Sequence, residues 1–175
     1  MEPKWSRQGL QAYLEANYRP IQPKLYAARS ASVLCEADCA PMVAPMVREK
    51  AAPRDLREWL QKTDAGFSET LLKLIDRAGK KDSEIYTRAN LSRQHFSKIR
   101  NNPDYRPAKS TALALAIALE LDMAQTKDLI GRAGYALTNS SKFDLIVMYF
   151  IQQGCYDLGI INEALYEYDQ SLLGM

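Results

Sequence analysis

A chain of 175 residues is long enough for one domain with a substantial core, plus an extension of some tens of residues. Its composition, 47% hydrophobic and 25% charged, is that of an ordinary soluble globular protein. No apolar run reaches the ~20 residues that a membrane span needs, and the N-terminal MEPKWSRQGLQ lacks a signal peptide's apolar stretch, so the expected location is the cytoplasm with no membrane contact.

The first element expected is a helix over about Lys4–Tyr18, where Trp5, Leu10, Tyr13, Leu14 and Tyr18 approach a helical stripe and Gly9 weakens the start. Pro20 and Pro23 end it. From there to about Ala52 no period is sustained, and the segment reads as a linker or loosely packed arm. A short helix is expected from Pro53 through DLREWLQK, with Leu56, Trp59 and Leu60 on one side. Residues 1–65 are too short for a core of their own, so these apolar side chains should dock on the main body or on a second copy of the chain.

From Phe67 the pattern becomes a succession of helices. FSETLLKLIDRAG buries Leu71, Leu72, Leu74 and Ile75 and stops at Gly79. DSEIYTRA starts on acidic residues, where the helix dipole favours them, and Ser92 caps SRQHFSKIRN after Asn90-Leu91. NNPDYRP is a turn-rich loop, KSTALALAIALELD a strongly apolar helix, and TKDLIGRAGY a shorter one. KFDLIVMYFIQQG and DLGIINEALYEYDQ complete the set, each with a broad apolar face. No β-alternation competes. The expected class is all-α, with residues 1–65 as an arm and residues 66–175 as the main domain.

Cys35, Cys39 and Cys155 are an odd count without an export signal, which argues against a disulfide framework. Cys35 and Cys39 lack a second close ligand pair, so they read as reduced thiols rather than half a metal site. Catalytic signatures are equally thin. There is no phosphate-binding glycine loop, no nucleophile motif and no acidic pair with an evident pocket, so neither an enzyme nor a cofactor is expected. The C-terminal tyrosines, Tyr149, Tyr156, Tyr166 and Tyr168, read as core and interface.

Net charge is more informative by region than in sum. The total of +2 divides into +2 for residues 1–65, +5 for residues 66–110 (ten basic, five acidic) and −5 for residues 111–175 (three basic, eight acidic). A basic third beside an acidic third suggests one surface facing phosphates and another facing solvent or a partner. The basic third contains Gly79–Asn102, GKKDSEIYTRANLSRQHFSKIRNN, a helix, short turn and polar second helix of the kind that lies in a DNA major groove.

This stretch resembles the lambda-repressor/Cro (xenobiotic-response-element) helix-turn-helix family. Leu71, Leu74 and Ile75 stand where the family packs its first helix, and Gly79 ends that helix. Ile85, the Leu91-Ser92 turn, and Phe96 with Ile99 match the later positions without a gap. The resemblance implies a five-helix repressor core, here extended by a C-terminal helical pair. Residues 67–174 are also similar to a helical module appended to bacterial macrodomain proteins, through DSEIYTRANLSRQHFSKIR, KSTALALAIALELDMAQTKDLIGRAGYAL and SSKFDLIVMYFI. Residues 1–65 cannot supply a macrodomain, so that likeness implies an accessory, sensing or docking unit and no ADP-ribose chemistry.

With Phe96 and Ile99 inward, Arg93, Gln94, Ser97 and Lys98 turn outward as candidate base contacts. Arginine or lysine suits guanine O6/N7, glutamine suits adenine N6/N7, and serine meets either. Arg100, Asn101, Arg106 and Lys109 flank them as candidate phosphate contacts. His95, the single histidine, could tune binding with pH, but a hydrogen-bonding or packing role is the plainer expectation.

Four positions depart from the family pattern. Asp82 stands where a phosphate-binding glutamine is usual, Tyr86 and Ala89 exchange a small and a larger residue, and Asn90 replaces the turn glycine, tolerating φ > 0. The resulting expectation is a helix-turn-helix DNA-binding regulator, partnered by double-stranded DNA and forming a homo-oligomer, with dimers reading paired half-sites. The alternative is a non-catalytic protein-interaction or assembly module that kept the fold without the nucleic acid.

Overall fold

A computed structural model describes residues 6–21 and 65–174. Among these there are eight helices and no strand, so the class is all-α. In chain order they are α1 (Arg7–Asn17), α2 (Phe67–Ala78), α3 (Asp82–Arg88), α4 (Arg93–Asn101), α5 (Lys109–Ala118), α6 (Met123–Arg132), α7 (Lys142–Gln152) and α8 (Leu158–Glu167).

Two helices organise the core. Residues Thr111–Ala118 of α5 are all buried, as are Asp144–Ile151 of α7. A helix apolar on every side needs neighbours on every side. Accordingly α5 packs against α3, α6 and α8, while α7 packs against α1, α6 and α8. Helix α7 has one polar residue in this run. Asp144 is fully buried, and the ammonium of Lys109, at the start of α5, lies 2.6 Å from its Oδ1 and 2.8 Å from Oδ2. The Thr138 backbone N–H and hydroxyl donate to the same carboxylate at 2.9 and 3.2 Å. This pair joins α5 to α7 inside the core.

Helix α1 belongs to the same compact unit as residues 65–174. Ser6 caps it, its hydroxyl accepting from the Gly9 N–H at 3.0 Å. Leu10 and Leu14 are buried, and the Tyr13 ring lies 5.3 Å from that of Tyr149. Gly9, expected to weaken the helix, has a packing reason: a Cβ there would sit 2.8 Å from the Tyr149 hydroxyl. Arg7 pairs with Glu167 of α8, and the Arg19 N–H donates to the Asn139 carbonyl at 3.0 Å. The expectations for Trp5, for the helix at Pro53 with Leu56 and Trp59, and for Cys35 and Cys39 lie outside the described residues.

The C-terminal pair packs through the broad apolar faces that its sequence shows. Leu145, Ile146 and Phe150 are buried with Ile161 and Leu165, and Ile160 and Tyr168 are half-buried against them. Tyr149 is also buried, but its ring meets Tyr13 of α1 as well as Phe150. Among the described residues no helix is long and apolar enough to cross a membrane.

Candidate nucleic-acid interface

Helix α3 has seven residues, too few to persist alone in water. Its support comes from outside. Ile85 and the following Ala89 are fully buried. The Glu84 carboxylate accepts from the Lys81 N–H at 3.4 Å, closing the first turn. Glu120, just beyond α5, receives Lys80 at 3.2 Å and Arg88 at 2.7 Å, one cation from each end of α3. Hydrogen bonding from Arg88, then from Lys80, holds the Glu120 carboxyl below the usual range.

The chain leaves α3 through Ala89–Ser92. Asn90 has φ 53°, the left-handed conformation that its residue type tolerates. This turn lets the Leu91 N–H reach back to the Tyr86 carbonyl at 2.8 Å. Ser92 caps α4, its hydroxyl accepting from the His95 N–H at 3.1 Å. Phe96 and Ile99 are the buried residues of α4, and Tyr86 lies beside Phe96 with ring centroids 5.9 Å apart. The bulk of Tyr86 is thus absorbed by contact with α4.

Arg93, Gln94, Ser97 and Lys98 all lie exposed on the remaining surface of α4. Arg93 and Ser97 share a groove of about 600 Å³ with Lys80, Lys81 and Arg100, and Asp76, Asp82, Tyr86 and Phe96 also line it. The second set of predicted residues divides. Arg106 is exposed on the loop after α4. Asn101 is exposed, and its amide donates to the Ser97 hydroxyl at 3.1 Å. Arg100 is ion-paired with Asp82 across the groove. Lys109 departs from its expected use: its ammonium is held by buried Asp144, so its charge is spent inside the fold.

His95 is half-buried, and its Nε2 lies 3.1 Å from the Tyr105 hydroxyl with the rings edge to face. The Ser68 hydroxyl donates to the Asn102 carbonyl at 3.1 Å. Together these contacts fasten the loop bearing Arg106 to α4 and α2. His95 therefore has the packing and hydrogen-bonding role that was the plainer expectation.

Sequence reasoning missed Glu120 and Asp144 as ion-pair partners. Neither carries a local signal, because their partners lie 32 to 40 positions away. Among the described residues no three His, Cys, Asp or Glu side chains converge as a metal site, and Cys155 is a free, half-buried thiol. No family model, curated protein or solved structure matches the chain.

Proposed function

We propose that this chain is a helix-turn-helix DNA-binding protein of the lambda-repressor type, a sequence-specific regulator that reads duplex DNA with α4. In this reading α2–α6 are the five-helix core, α3 and α4 the motif, and α7–α8 its extension. One observation carries it. Helix α4 gives only Phe96 and Ile99 to the core, and leaves two cations, a glutamine and a serine exposed on its other side. Those are side chains that can address guanine and adenine edges from a major groove.

The phosphate-facing set loses Lys109, which is paired with Asp144. It comprises Arg106 and Asn101, with Arg100 joining once a phosphate replaces Asp82 as its partner. Lys81 lines the same groove and extends this set. Two copies of the chain reading paired half-sites is the assembly this function calls for.

The test is a polarisation titration against random duplex and against a selected binding sequence, at two ionic strengths. Binding should weaken as salt rises. Arg93→Ala and Gln94→Ala should each lose ~1–3 kcal/mol on the selected sequence and little on random duplex. Asp82→Gln should tighten both. The Asp82–Arg100 pair also favours a second reading, in which this face docks a protein partner. Absence of salt-dependent binding in both wild type and Asp82→Gln would select that reading and reject DNA.

A further inference from the structure

The chain beyond α8 returns to the motif. At Asp169, φ is 53°, and the Gln170 N–H reaches back to the Leu165 carbonyl at 2.9 Å, so the backbone reverses as α8 ends. Asn162 then grips Leu173 with both ends of its amide. Its oxygen accepts from the Leu173 N–H at 2.8 Å and its nitrogen donates to the Leu173 carbonyl at 3.2 Å. Leu173 is fully buried.

Gly174 follows at φ 73°, also buried, and lies against the turn between α3 and α4. A Cβ on Gly174 would overlap the Ala89 carbonyl oxygen and lie 3.1 Å from the Asn90 Cβ. The neighbours it meets are mainly backbone, which cannot swing aside as a long side chain can. Asn90 is the left-handed residue that redirects the chain into α4.

We propose that residues 169–174 are a positioning wedge. The segment fixes the Ala89–Asn90 turn and thereby sets how α4 is presented, so that the C-terminal helices control the interface. The effect on DNA rests on the function proposed above; the mechanical coupling does not. Every link is specific. Asn162 sets the depth of Leu173, Leu173 sets Gly174, and Gly174 abuts the turn without a side chain between them. Loosening any link frees the turn before it disturbs the core of α5 and α7.

Amide hydrogen exchange on the full chain, without DNA, tests the coupling. In Gly174→Ala the Leu91 amide should exchange about tenfold faster or more, while amides within α7 keep their wild-type rates. Asn162→Ala, which leaves Gly174 in place, should give the same local pattern more weakly. An unchanged Leu91 rate in both variants would overturn the proposal. So would a uniform acceleration through α7, because the tail would then be ordinary core packing.

A duplex titration of the same variants reads the consequence, with affinity expected to fall while the thermal midpoint moves little. If wild type does not bind duplex, the proposed function fails and the exchange result still decides the wedge. If wild type binds and the loosened variants bind equally well, the control of presentation is rejected.

Discussion

Helices α4 and α7 are close in length, nine residues against eleven, yet they use their surfaces in opposite ways. Helix α7 buries eight consecutive residues and is enclosed by α1, α6 and α8. Helix α4 buries two residues, half-buries His95 and leaves its other residues exposed. The difference shows which helix carries stability and which keeps surface to spare. A helix enclosed by its own chain can do little but hold the fold together, whereas one anchored by two side chains retains a surface that another molecule can claim. The short polar helix can be spared for this because the enclosed ones supply the core.

The largest expected effect comes from removing the enclosed region. Ending the chain after Ala136 deletes Leu145, Ile146, Phe150, Ile161 and Leu165, all fully buried. At ~1.5–3 kcal/mol each, their loss rivals the whole ~5–15 kcal/mol stability of a domain. Circular dichroism should show no cooperative melt. A cooperative melt of the shortened chain would break the comparison, since α2–α6 would then be self-sufficient.

The two faces of α4 provide the next test. Phe96→Ala should cost ~3–5 kcal/mol, because the ring is only 3% exposed. Arg93→Ala, on the exposed side, should stay within about ±0.5 kcal/mol in denaturant unfolding. Similar losses in both would mean that the outward face is structural after all.

The Lys109–Asp144 pair sharpens the boundary between charge used for folding and charge left for binding. Lys109→Met strands a buried carboxylate that keeps only the Thr138 donors, at a cost of ~3 kcal/mol. A second substitution, Asp144→Leu, should recover most of that loss. Binding per folded molecule should be unchanged by Lys109→Met. A selective loss of binding at unchanged thermal midpoint would return Lys109 to the interface.

The smallest effect belongs to Glu120. Its folded pKa lies below its ordinary value of 4.5. The ion pairs therefore contribute stability that is present above pH 4.5 and is lost as pH falls through the folded value. With the carboxylate 45% exposed, screening keeps this below about 1 kcal/mol. Glu120→Gln should remove that part of the acid dependence and leave the neutral-pH fold intact.

Much of the fold was legible because its signals are local. Gly79 ends α2 in the left-handed conformation, Ser92 caps α4, and the spacing of Phe96 and Ile99 sets which side of α4 turns inward. Asn90 adopts the positive φ that its place in the turn required. Periodicity assigns faces, but it does not choose partners. It could not tell that Lys109 would meet a carboxylate 35 positions away. Nor could it tell that Gly9 admits the Tyr149 hydroxyl, or that Gly174 would abut Ala89. Those facts arise from how helices approach one another, and they decide which predicted interface residues remain free.

The ion pairs around α3 and α4 carry a thermodynamic consequence. Of the ten basic residues in 66–110, Lys73, Lys80, Arg88, Arg100 and Lys109 are paired with carboxylates. Arg77, Lys81, Arg93, Lys98 and Arg106 are the other five. Each cation that neutralises a phosphate of duplex DNA releases ~0.9 of a condensed counterion. On the function proposed above, these five alone would give a logarithmic salt slope of about −4.5 per chain, and opening the Asp82–Arg100 pair would add one further unit of ~0.9. The raw count of ten would have allowed twice the first figure. Half of the region's basic residues already have a carboxylate partner within the folded chain.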